Sequence, residues 1–403
     1  MNIYVNQLGY MTKGRKRAVL ALDAQALSAD RNMTVFIFEH DRERCVFRKN
    51  AVFAGIDEAS KDAVWQVDFS EFQKKGRYRL AGSGGCFSAS FEIGDGLYGN
   101  LLIPLAKTYY FQRCGMELEE KYAGIFKRKC CHQKKALLLE DYQKMQNGMS
   151  TEQVRRYEVT GGWHDAGDYG RYTTPAAVAV AHLLYAWQWF PESFQRSLGI
   201  PESGSGMDDI LCECQYELRW LLKMQREDGG VFHKLTSMRH ANFVMPGEDR
   251  RQMILFPVSS YATGAFAAVT ALAARIYQPY DSVFSEQMLK ASQRAWQWLT
   301  ENEQTVDFHN PKACNTGEYG DDCDTDERLW AAAELYRSTK DISFLEKAVL
   351  LKQQCHDETG IGWRNVAGLA GFAFLEDEIR NKKMIADADD SGAENGLKQQ
   401  YYI

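Results

Sequence analysis

The pattern of hydrophobic and polar residues changes near residue 94. Before that point, short runs such as MTVFIFEH and DAVWQVDFS alternate apolar with polar side chains, and Gly or Asp clusters separate the runs. A period of two predicts strands that bury one face against a core. Strands at this spacing predict a small β-sandwich over residues 1–94, comparable in size to an immunoglobulin-like domain.

After residue 94 the hydrophobic period becomes helical. The alanine-rich VSSYATGAFAAVTALAARIY predicts a helix that is buried on most sides. Long polar loops such as SMRHANFVMPGEDRRQ separate the predicted helices, and loops of that length in a helical domain are usually functional. In MDDILCECQYELRWLLKMQ, residues at steps of three and four predict one buried helix face: Ile210, Leu211, Cys214, Leu218, Leu221 and Leu222.

Composition and charge narrow the class of protein. The chain has 403 residues, 45% hydrophobic and 25% charged, with a net charge of −6. No basic patch stands out, so no nucleic-acid partner is expected. The longest apolar stretches fall short of the ~20 residues that a membrane span needs, so no membrane partner is expected either. The first residues lack the apolar core of a signal peptide, which predicts a cytoplasmic chain as written and a secreted one if a leader was removed. The sequence makes no prediction of oligomeric state.

The ten cysteines are scattered along the chain and do not form a dense disulfide framework. Free and mostly buried thiols are therefore expected. Cys130 and Cys131 are adjacent, and His132 follows at once. This local group favours metal chemistry over disulfide chemistry.

Two carboxylates lie three residues apart in GGWHDAGDYGRY, the segment from Gly161 to Tyr172. Its glycines and aspartates predict a turn that presents Asp165 and Asp168 on one side. Such a pair can hold a water molecule, with one acid as general base and the other orienting the water, which suits hydrolysis. The same spacing is also common in loops that only cap a following helix, so spacing alone leaves both interpretations open.

Longer motifs resemble glycoside hydrolase family nine in their order along the chain: VNQLGY, FQRCG, GGWHDAGDYGRY, LLKMQREDGGVFHKLTS, SSYATGAFAAVTALAARIY, TGEYGDDCDTDERLWAAAELY and GWRNVAGLAGFAFL. The resemblance covers essentially the whole chain. It implies a multidomain protein, with an immunoglobulin-like β-sandwich at 1–94 and a mostly α (α/α)6 barrel as the catalytic domain at 95–403. It also implies an inverting hydrolase that cleaves β-1,4-glucosidic bonds in cellulose or related β-glucans.

The resemblance also implies roles for single residues. Asp168 matches the catalytic base, and Asp165 matches the aspartate that helps to hold the water. His233, in GGVFHKLTS, matches a position that lines the family's substrate cleft, whereas Trp163 and Tyr172 are left open between stacking on sugars and packing. The family's general acid, a glutamate in an NE motif near the C-terminus, has no counterpart in this chain. We therefore expect a barrel whose C-terminal part is missing, and a chain that alone is nearly inactive and tends to associate.

Two metals are expected. The resemblance implies a structural zinc ion held by two cysteines and two histidines in a closed tetrahedral site, with Cys130 leaving the register open by one residue. A crowded oxygen-rich loop suits calcium, but it is equally interpretable as a solvated acidic loop that caps the helix starting near Asp326. The zinc ligands implied are Cys114, Cys131, His132 and His164, and the calcium candidates are Thr316, Glu318, Asp321 and Asp322.

Two alternative functions stay open at this point. The first is an exo-acting β-glucosidase or glucosaminidase on small oligosaccharides, which the absence of a signal peptide favours because insoluble cellulose cannot enter a cell. The second is a non-catalytic carbohydrate-binding remnant, which the missing acid favours. In every case the expected partner is a β-glucan or an oligosaccharide.

Overall fold

The structure is a computed structural model that describes residues 1–27, 31–40, 44–82, 85–148, 150, 154–357 and 359–375. Its contacts divide the chain into one unit at Met1–Leu105 and a second at Ala106–Ile403. The first unit is built of strands, and the second is mainly helical.

The first unit contains eight strands in the order β1-β3-β6-β5-β4-β7-β8-β2. The first half of β5 pairs with β4 and its second half pairs with β6, so this long strand belongs to both halves of the sheet. Leu20, Trp65, Tyr78 and Phe91 form the centre of the buried core. The strands are β1 Asn2–Tyr4, β2 Tyr10–Met11, β3 Arg17–Asp23, β4 Met33–Glu39, β5 Cys45–Ile56, β6 Asp62–Asp68, β7 Gly76–Gly82 and β8 Phe91–Gly94.

Helices dominate the remainder of the described chain. They are α1 Gly99–Gln112, α2 Glu120–Ala123, α3 Leu139–Gln146, α4 Thr173–Trp189, α5 Asp209–Lys223, α6 Ser260–Tyr277, α7 Ser282–Glu301, α8 Thr325–Thr339, α9 Ile342–Lys352 and a segment at 367–375. None of the described helices has both the length and the hydrophobicity that crossing a membrane requires.

Helix α6 lies at the centre of the helical unit, packed against α4, α7 and α8. All of its 18 residues except Arg275 are buried, which confirms the predicted helix that is buried on most sides. Its alanines keep the helix narrow, so three neighbours can approach it closely. The Ser259 hydroxyl caps its first turn by accepting the N–H of Ala262 at 3.3 Å. The predicted face of α5 is also buried, except that Leu222 is half-buried.

A small sheet forms from segments that are far apart in sequence. Its strands are only two or three residues long and run in the order β10-β11-β12-β9. At one edge of the sheet, Tyr172 of β10 lies opposite Lys234 of β11. This sheet fixes the end of the two-aspartate loop against the helical unit. Its strands are β9 Leu137–Leu138, β10 Arg171–Tyr172, β11 Lys234–Thr236 and β12 Ile254–Leu255.

The close contact of α6 with α8 gives a stability prediction. A Cβ at Gly264 would lie 2.7 Å from the Cβ of Glu327, so Gly264→Ala must push the helices apart. We expect a loss of about 1–3 kcal/mol in the free energy of unfolding, measured with urea. Gly371→Ala is the matched control, because its Cβ meets nothing within 4 Å and alanine favours a helix by roughly 0.5–1 kcal/mol. Equal effects of the two changes would contradict the close contact.

Candidate active site and metal centre

The loop from Gly161 to Tyr172 is tied down by backbone hydrogen bonds on one side and by the small sheet on the other. The Cys114 N–H donates to the Gly162 carbonyl at 2.7 Å, and the His164 N–H donates to the Gln112 carbonyl at 2.8 Å. Gly162 has φ +76°, and a Cβ there would come within 2.7 Å of the Trp220 ring of α5. A glycine is therefore required for the loop to pass this close to the helix.

A buried ionic network supports the loop from α5. The guanidinium of Arg113 is fully buried and bonds Glu213 at 2.9 Å and Glu202 at 2.9 Å. Glu213 also accepts the indole N–H of Trp163 at 2.8 Å, and Glu217 accepts the Trp163 backbone N–H at 2.5 Å. Burial raises the pKa of Glu217 to about 8. Burial also raises the pKa of Glu213, against the opposing charge of Arg113.

The two carboxylates of the loop are each held by a tyrosine. The Asp165 N–H donates to the Gly170 carbonyl at 2.9 Å and closes the turn. Tyr319 donates to Asp165 at 2.9 Å, and Tyr172 donates to Asp168 at 2.5 Å. The two tyrosine rings lie 4.6 Å apart between their centres, so both carboxylates belong to one site.

The environment of Asp165 raises the pKa of its carboxyl above the ordinary value. Burial raises the pKa of this carboxyl, the Tyr319 hydroxyl opposes that shift, and the charge of Asp168 adds to it. When two neighbouring acids lie in different environments, one can serve as the base while the other orients the water.

A cavity of about 620 Å³ opens beside Asp168, a volume within the usual range of ligand pockets. The wall opposite the aspartate loop comes from the long loop after β11, where His240 Nδ1 lies 3.7 Å from Asp168 Oδ2. Phe243 is fully exposed at the rim of the cavity. Neither residue was predicted from the sequence, in which only the length of their loop indicated function.

The family resemblance predicts that His233 contacts substrate. In the structure, His233 lies in the interior of the protein. Its Nδ1 is 3.0 Å from the Ser259 hydroxyl, its Nε2 is 2.6 Å from the Glu318 carbonyl, and its ring stacks on Phe308 at 4.2 Å. Burial lowers its pKa to about 3, so the imidazole is neutral. Both nitrogens are occupied by the protein, so this geometry supports a role in fixing the Glu318 backbone. A direct sugar contact by His233 stays a prediction.

The two aromatic residues that the sequence left open are packed inside the protein. Trp163 is 7% exposed and Tyr172 is 2% exposed, so neither ring face is free to stack on a sugar. The Trp163 indole N–H donates to Glu213 of the buried network, and the Tyr172 hydroxyl donates to Asp168 of the site.

Four metal-ligating side chains converge next to the aspartate loop. Cys114, Cys131, His132 and His164 are buried, and their ligand atoms all lie within 4.8 Å of one another. The Cys114 Sγ to His132 Nδ1 distance is 3.7 Å, that from Cys131 Sγ to His164 Nε2 is 3.8 Å, and the two nitrogens are 3.3 Å apart. Bond lengths of ~2.3 Å to sulfur and ~2.05 Å to nitrogen around a tetrahedral zinc ion give about 3.6 Å and about 3.3 Å for these separations.

The backbone decides which of the adjacent cysteines enters the cluster. His132 has φ +49°, an uncommon value for a residue other than glycine, and it lets Cys131 and His132 turn toward the same point. Cys130 is half-buried, and its sulfur lies 3.9 Å from the Cys131 carbonyl, outside the cluster. The cluster therefore contains Cys131 and not Cys130, and the role of Cys131 as a zinc ligand stays a prediction.

Groups around the cluster orient its ligand atoms and shift the pKa values of its side chains. Asp249 lies 3.3 Å from His132 Nε2, so the other ring nitrogen faces the cluster. Hydrogen bonding with Cys114 lowers the pKa of Cys131 well below its usual range, whereas burial raises that of Cys114. Burial lowers the pKa of His164 to about 4. A thiolate and neutral imidazoles are the forms that bind metal.

The four calcium candidates point to different partners. Thr316 accepts the ammonium of Lys234 at 3.1 Å, and Glu318 accepts the N–H of Asn310 at 2.7 Å. Ammonium and N–H groups occupy oxygens that a calcium ion would need.

The remaining two acids of that loop also lie apart. Asp321 accepts the Cys323 N–H at 3.2 Å, and Asp322 lies 3.8 Å from Arg364. Within the described residues, the Cys/His cluster is the one set of three or more His, Cys, Asp or Glu ligands close enough to share an ion. Calcium therefore stays a prediction without support from the geometry.

The fold and the family comparisons place the chain among the glycoside hydrolases. Residues 98–400 match the family model described as "Glycosyl hydrolase family 9", and residues 1–85 match "Cellulase N-terminal ig-like domain". The chain belongs to glycosyl hydrolase family 9. The predicted order, an immunoglobulin-like β domain followed by the helical domain of an (α/α)6 hydrolase family, is confirmed.

Curated relatives carry names from cellulose breakdown. A cellodextrinase from Butyrivibrio fibrisolvens is 36% identical over 93% of this chain and 68% of its own length. Endoglucanase D from Acetivibrio thermocellus is 32% identical over 96% of this chain and 60% of its own. The chain thus spans between three fifths and about two thirds of the length of these relatives.

Solved structures agree with this assignment. A metagenome-derived family 9 endoglucanase superposes with a TM-score of 0.78 at 33% identity, covering 92% of this chain and 67% of the other. A zinc-binding triple mutant of a family 9 endoglucanase superposes with a TM-score of 0.79 at 30% identity, covering 91% of this chain and 67% of the other.

The buried network beneath the loop gives the second prediction. Glu213→Ala leaves the Arg113 guanidinium buried without its best partner, and removing one member of a buried ion pair typically costs about 3–5 kcal/mol. We expect the free energy of unfolding, measured with urea, to fall by that amount. Glu202→Ala is the matched control, because the Glu202 side chain is 38% exposed and water can replace it. We expect a clearly smaller effect there, and equal losses would show that the buried pair is not what supports the loop.

Proposed function

We propose that the chain is an inverting glycoside hydrolase that acts on β-1,4-glucosidic bonds of cellulose or related β-glucans. The observation that carries the proposal is the pair of carboxylates on one glycine-bounded loop, with Asp168 in the wall of a cavity of about 620 Å³. Family membership supports the reaction class, and the geometry supports the roles of the residues.

Asp168 is the general base in this proposal. Its position at the cavity lets it take a proton from a water molecule that attacks the anomeric carbon. Asp165 orients that water from the neighbouring position, and Tyr319 fixes its carboxyl. Inversion needs a base separated from the acid by ~6.5–9.5 Å, so that the water fits between base and sugar. The acid that protonates the leaving group is not assigned to a residue.

Short soluble substrates are the second candidate. The relative that is 36% identical is named a cellodextrinase, which favours action on cello-oligosaccharides beside or instead of polymeric glucan. The exposed Phe243 at the rim offers an aromatic surface on which a sugar ring can stack. Glucosaminides and pure carbohydrate binding remain the outcomes to be excluded by experiment.

A zinc ion in the Cys/His cluster is part of the proposal. The donor atoms are of the right kind and separation, and a solved relative of the same family is a zinc-binding variant. Four protein ligands would leave no open position, so the ion would be structural. His164 directly precedes Asp165, so a metal in the cluster would hold the aspartate loop in place.

Three further expectations are kept as proposals. The first is the junction between the domains at residue 94, and the second is a cytoplasmic location for the chain as written. The third is a calcium ion in the loop around Thr316.

The role of Asp168 can be tested with β-cellobiosyl fluoride, because fluoride leaves without being protonated and the test does not depend on the acid. Asp168→Asn should slow fluoride release at least ~100-fold, since general-base contributions typically run 10²–10⁴-fold. The first sugar product should be the α-anomer by NMR. Asp141→Asn on α3, which removes a half-buried carboxylate 3.5 Å from Lys144, is the control. Full activity of Asp168→Asn, or no fluoride release by the unchanged protein, would contradict the proposal.

The zinc proposal predicts about one equivalent of zinc in purified protein, measured by elemental analysis. Cys131→Ser should lose the metal and lower the thermal midpoint, because the free energy of metal binding adds to that of folding. Cys130→Ser is the matched control, since the Cys130 sulfur lies outside the cluster. This variant should keep the zinc and the original thermal midpoint. Metal-free protein that was never exposed to a chelator, or equal metal loss in the two variants, would count against the site.

A further inference from the structure

Lys234 on β11 is a fully buried lysine whose ammonium is bonded by no carboxylate in the described part of the chain. Its Nζ donates to the Asn310 side chain at 2.6 Å, to the Gly317 carbonyl at 2.7 Å, to the Thr316 hydroxyl at 3.1 Å and to the Cys314 sulfur at 3.8 Å. The ring of Phe256 lies 4.5 Å away. Burying an ammonium without a bonded carboxylate is costly, so this arrangement calls for a functional explanation.

The hydrogen bonds of Lys234 continue to the proposed base. The Gly317 carbonyl accepts from Lys234, and the Gly317 N–H donates to the Tyr172 hydroxyl at 3.0 Å. Tyr172 in turn donates to Asp168 Oδ2 at 2.5 Å. The strand register places Tyr172 directly opposite Lys234, so the small sheet fixes the lysine and the tyrosine of this relay relative to each other.

The direction of the Tyr172 hydroxyl follows from its partners. The N–H of Gly317 can only donate, so the phenolic oxygen must accept there. The single phenolic hydrogen is then directed to the remaining partner, the carboxylate of Asp168. Among the described residues, the other carboxylate oxygen, Oδ1, accepts only the Gly170 N–H at 3.2 Å and keeps a lone pair for a proton from water.

We propose that Tyr172 and Lys234 are positioning residues for Asp168, with the hydroxyl of Tyr172 aimed at the carboxylate by Gly317 and Gly317 held in place by Lys234. This inference rests on the proposed function of Asp168 as the base. It adds a reason why the lysine is buried: its hydrogen bonds fix the loop that directs the tyrosine.

Other charged groups also face Asp168. Asp165 lies across the turn, His240 is 3.7 Å away, and Glu248 lines the same cavity. None of these groups donates a hydrogen bond to Asp168 Oδ2 within 3.5 Å in the described structure, whereas Tyr172 does. Removing the Tyr172 hydroxyl therefore breaks the relay and leaves the surrounding charges unchanged, so the two influences on Asp168 can be separated.

The test is a titration of the Asp168 carboxyl by ¹³C NMR on protein with carboxyl-labelled aspartate. Asp168→Asn identifies the resonance by its disappearance. A hydrogen bond to a carboxylate favours the charged form, so Tyr172→Phe should move the midpoint of this titration to higher pH by roughly one unit. Below that midpoint, kcat/KM for β-cellobiosyl fluoride should fall roughly ten-fold, mostly through kcat.

Two further variants complete the experiment. Lys234→Met should shift the midpoint in the same direction, and if it does not fold, Tyr172→Phe carries the test. Tyr336→Phe on α8 removes a hydroxyl beside Lys340 and should leave the midpoint unchanged. An unshifted midpoint in folded Tyr172→Phe would overturn the inference. The titration needs no turnover, so it reports on the relay even if Asp168→Asn shows that the proposed function is wrong.

Discussion

The ion pair between Arg113 and Glu213 is the interaction on which the site depends. It is buried at the point where α1, α5 and the aspartate loop meet, and it binds the Trp163 indole directly. A guanidinium suits this place because its fixed fork bonds two carboxylates and stacks on Tyr216 at 4.5 Å as well. With Trp163 held, the backbone that follows it can serve two purposes: His164 turns into the cluster, and Asp165 accepts the hydroxyl of Tyr319.

The rest of the helical unit supplies a rigid support for that loop. Helix α6 is narrow and buried, so α4, α7 and α8 can pack on it without gaps. The four-stranded small sheet then connects this core to the site, because β10 ends the loop and β11 carries Lys234. Segments that bear the chemistry are irregular in structure, whereas the elements beneath them are regular, as is common for sites on loops.

Patterns that repeat locally were predicted well from the sequence. The strands around Val35 and Trp65, the buried face of α5 and the alanine-rich α6 all follow from a period of two or of 3.6 residues. The strands β3 and β5 were not singled out: RAVLALD reads as a continuous apolar run, and CVFRKNAVFAGI changes its pattern midway. The strands β9 to β12 are too short to leave a periodic signal at all.

The burial and the role of a residue could not be predicted where they depend on residues far away in the sequence. His233 and Lys234 are adjacent in sequence and both polar, yet each is buried because its partners come from residues 308–318. The choice between Cys130 and Cys131 depends on a single positive φ at His132. The pairing of His240 with Asp168 is invisible to periodicity, because a loop brings them together across more than seventy positions of the chain.

The double pairing of β5 has a consequence for how the β domain assembles. Residues 45–51 of this strand pair with β4 and residues 52–56 pair with β6, so one backbone segment is shared by the two halves of the sheet. β4, β5 and β6 are consecutive, which keeps these contacts local and quick to form. If β5 leaves the sheet, β4 and β6 each lose a neighbouring strand at the same time. Pulling on this strand would therefore be expected to dismantle the whole domain in one event, with no stage at which half of it survives.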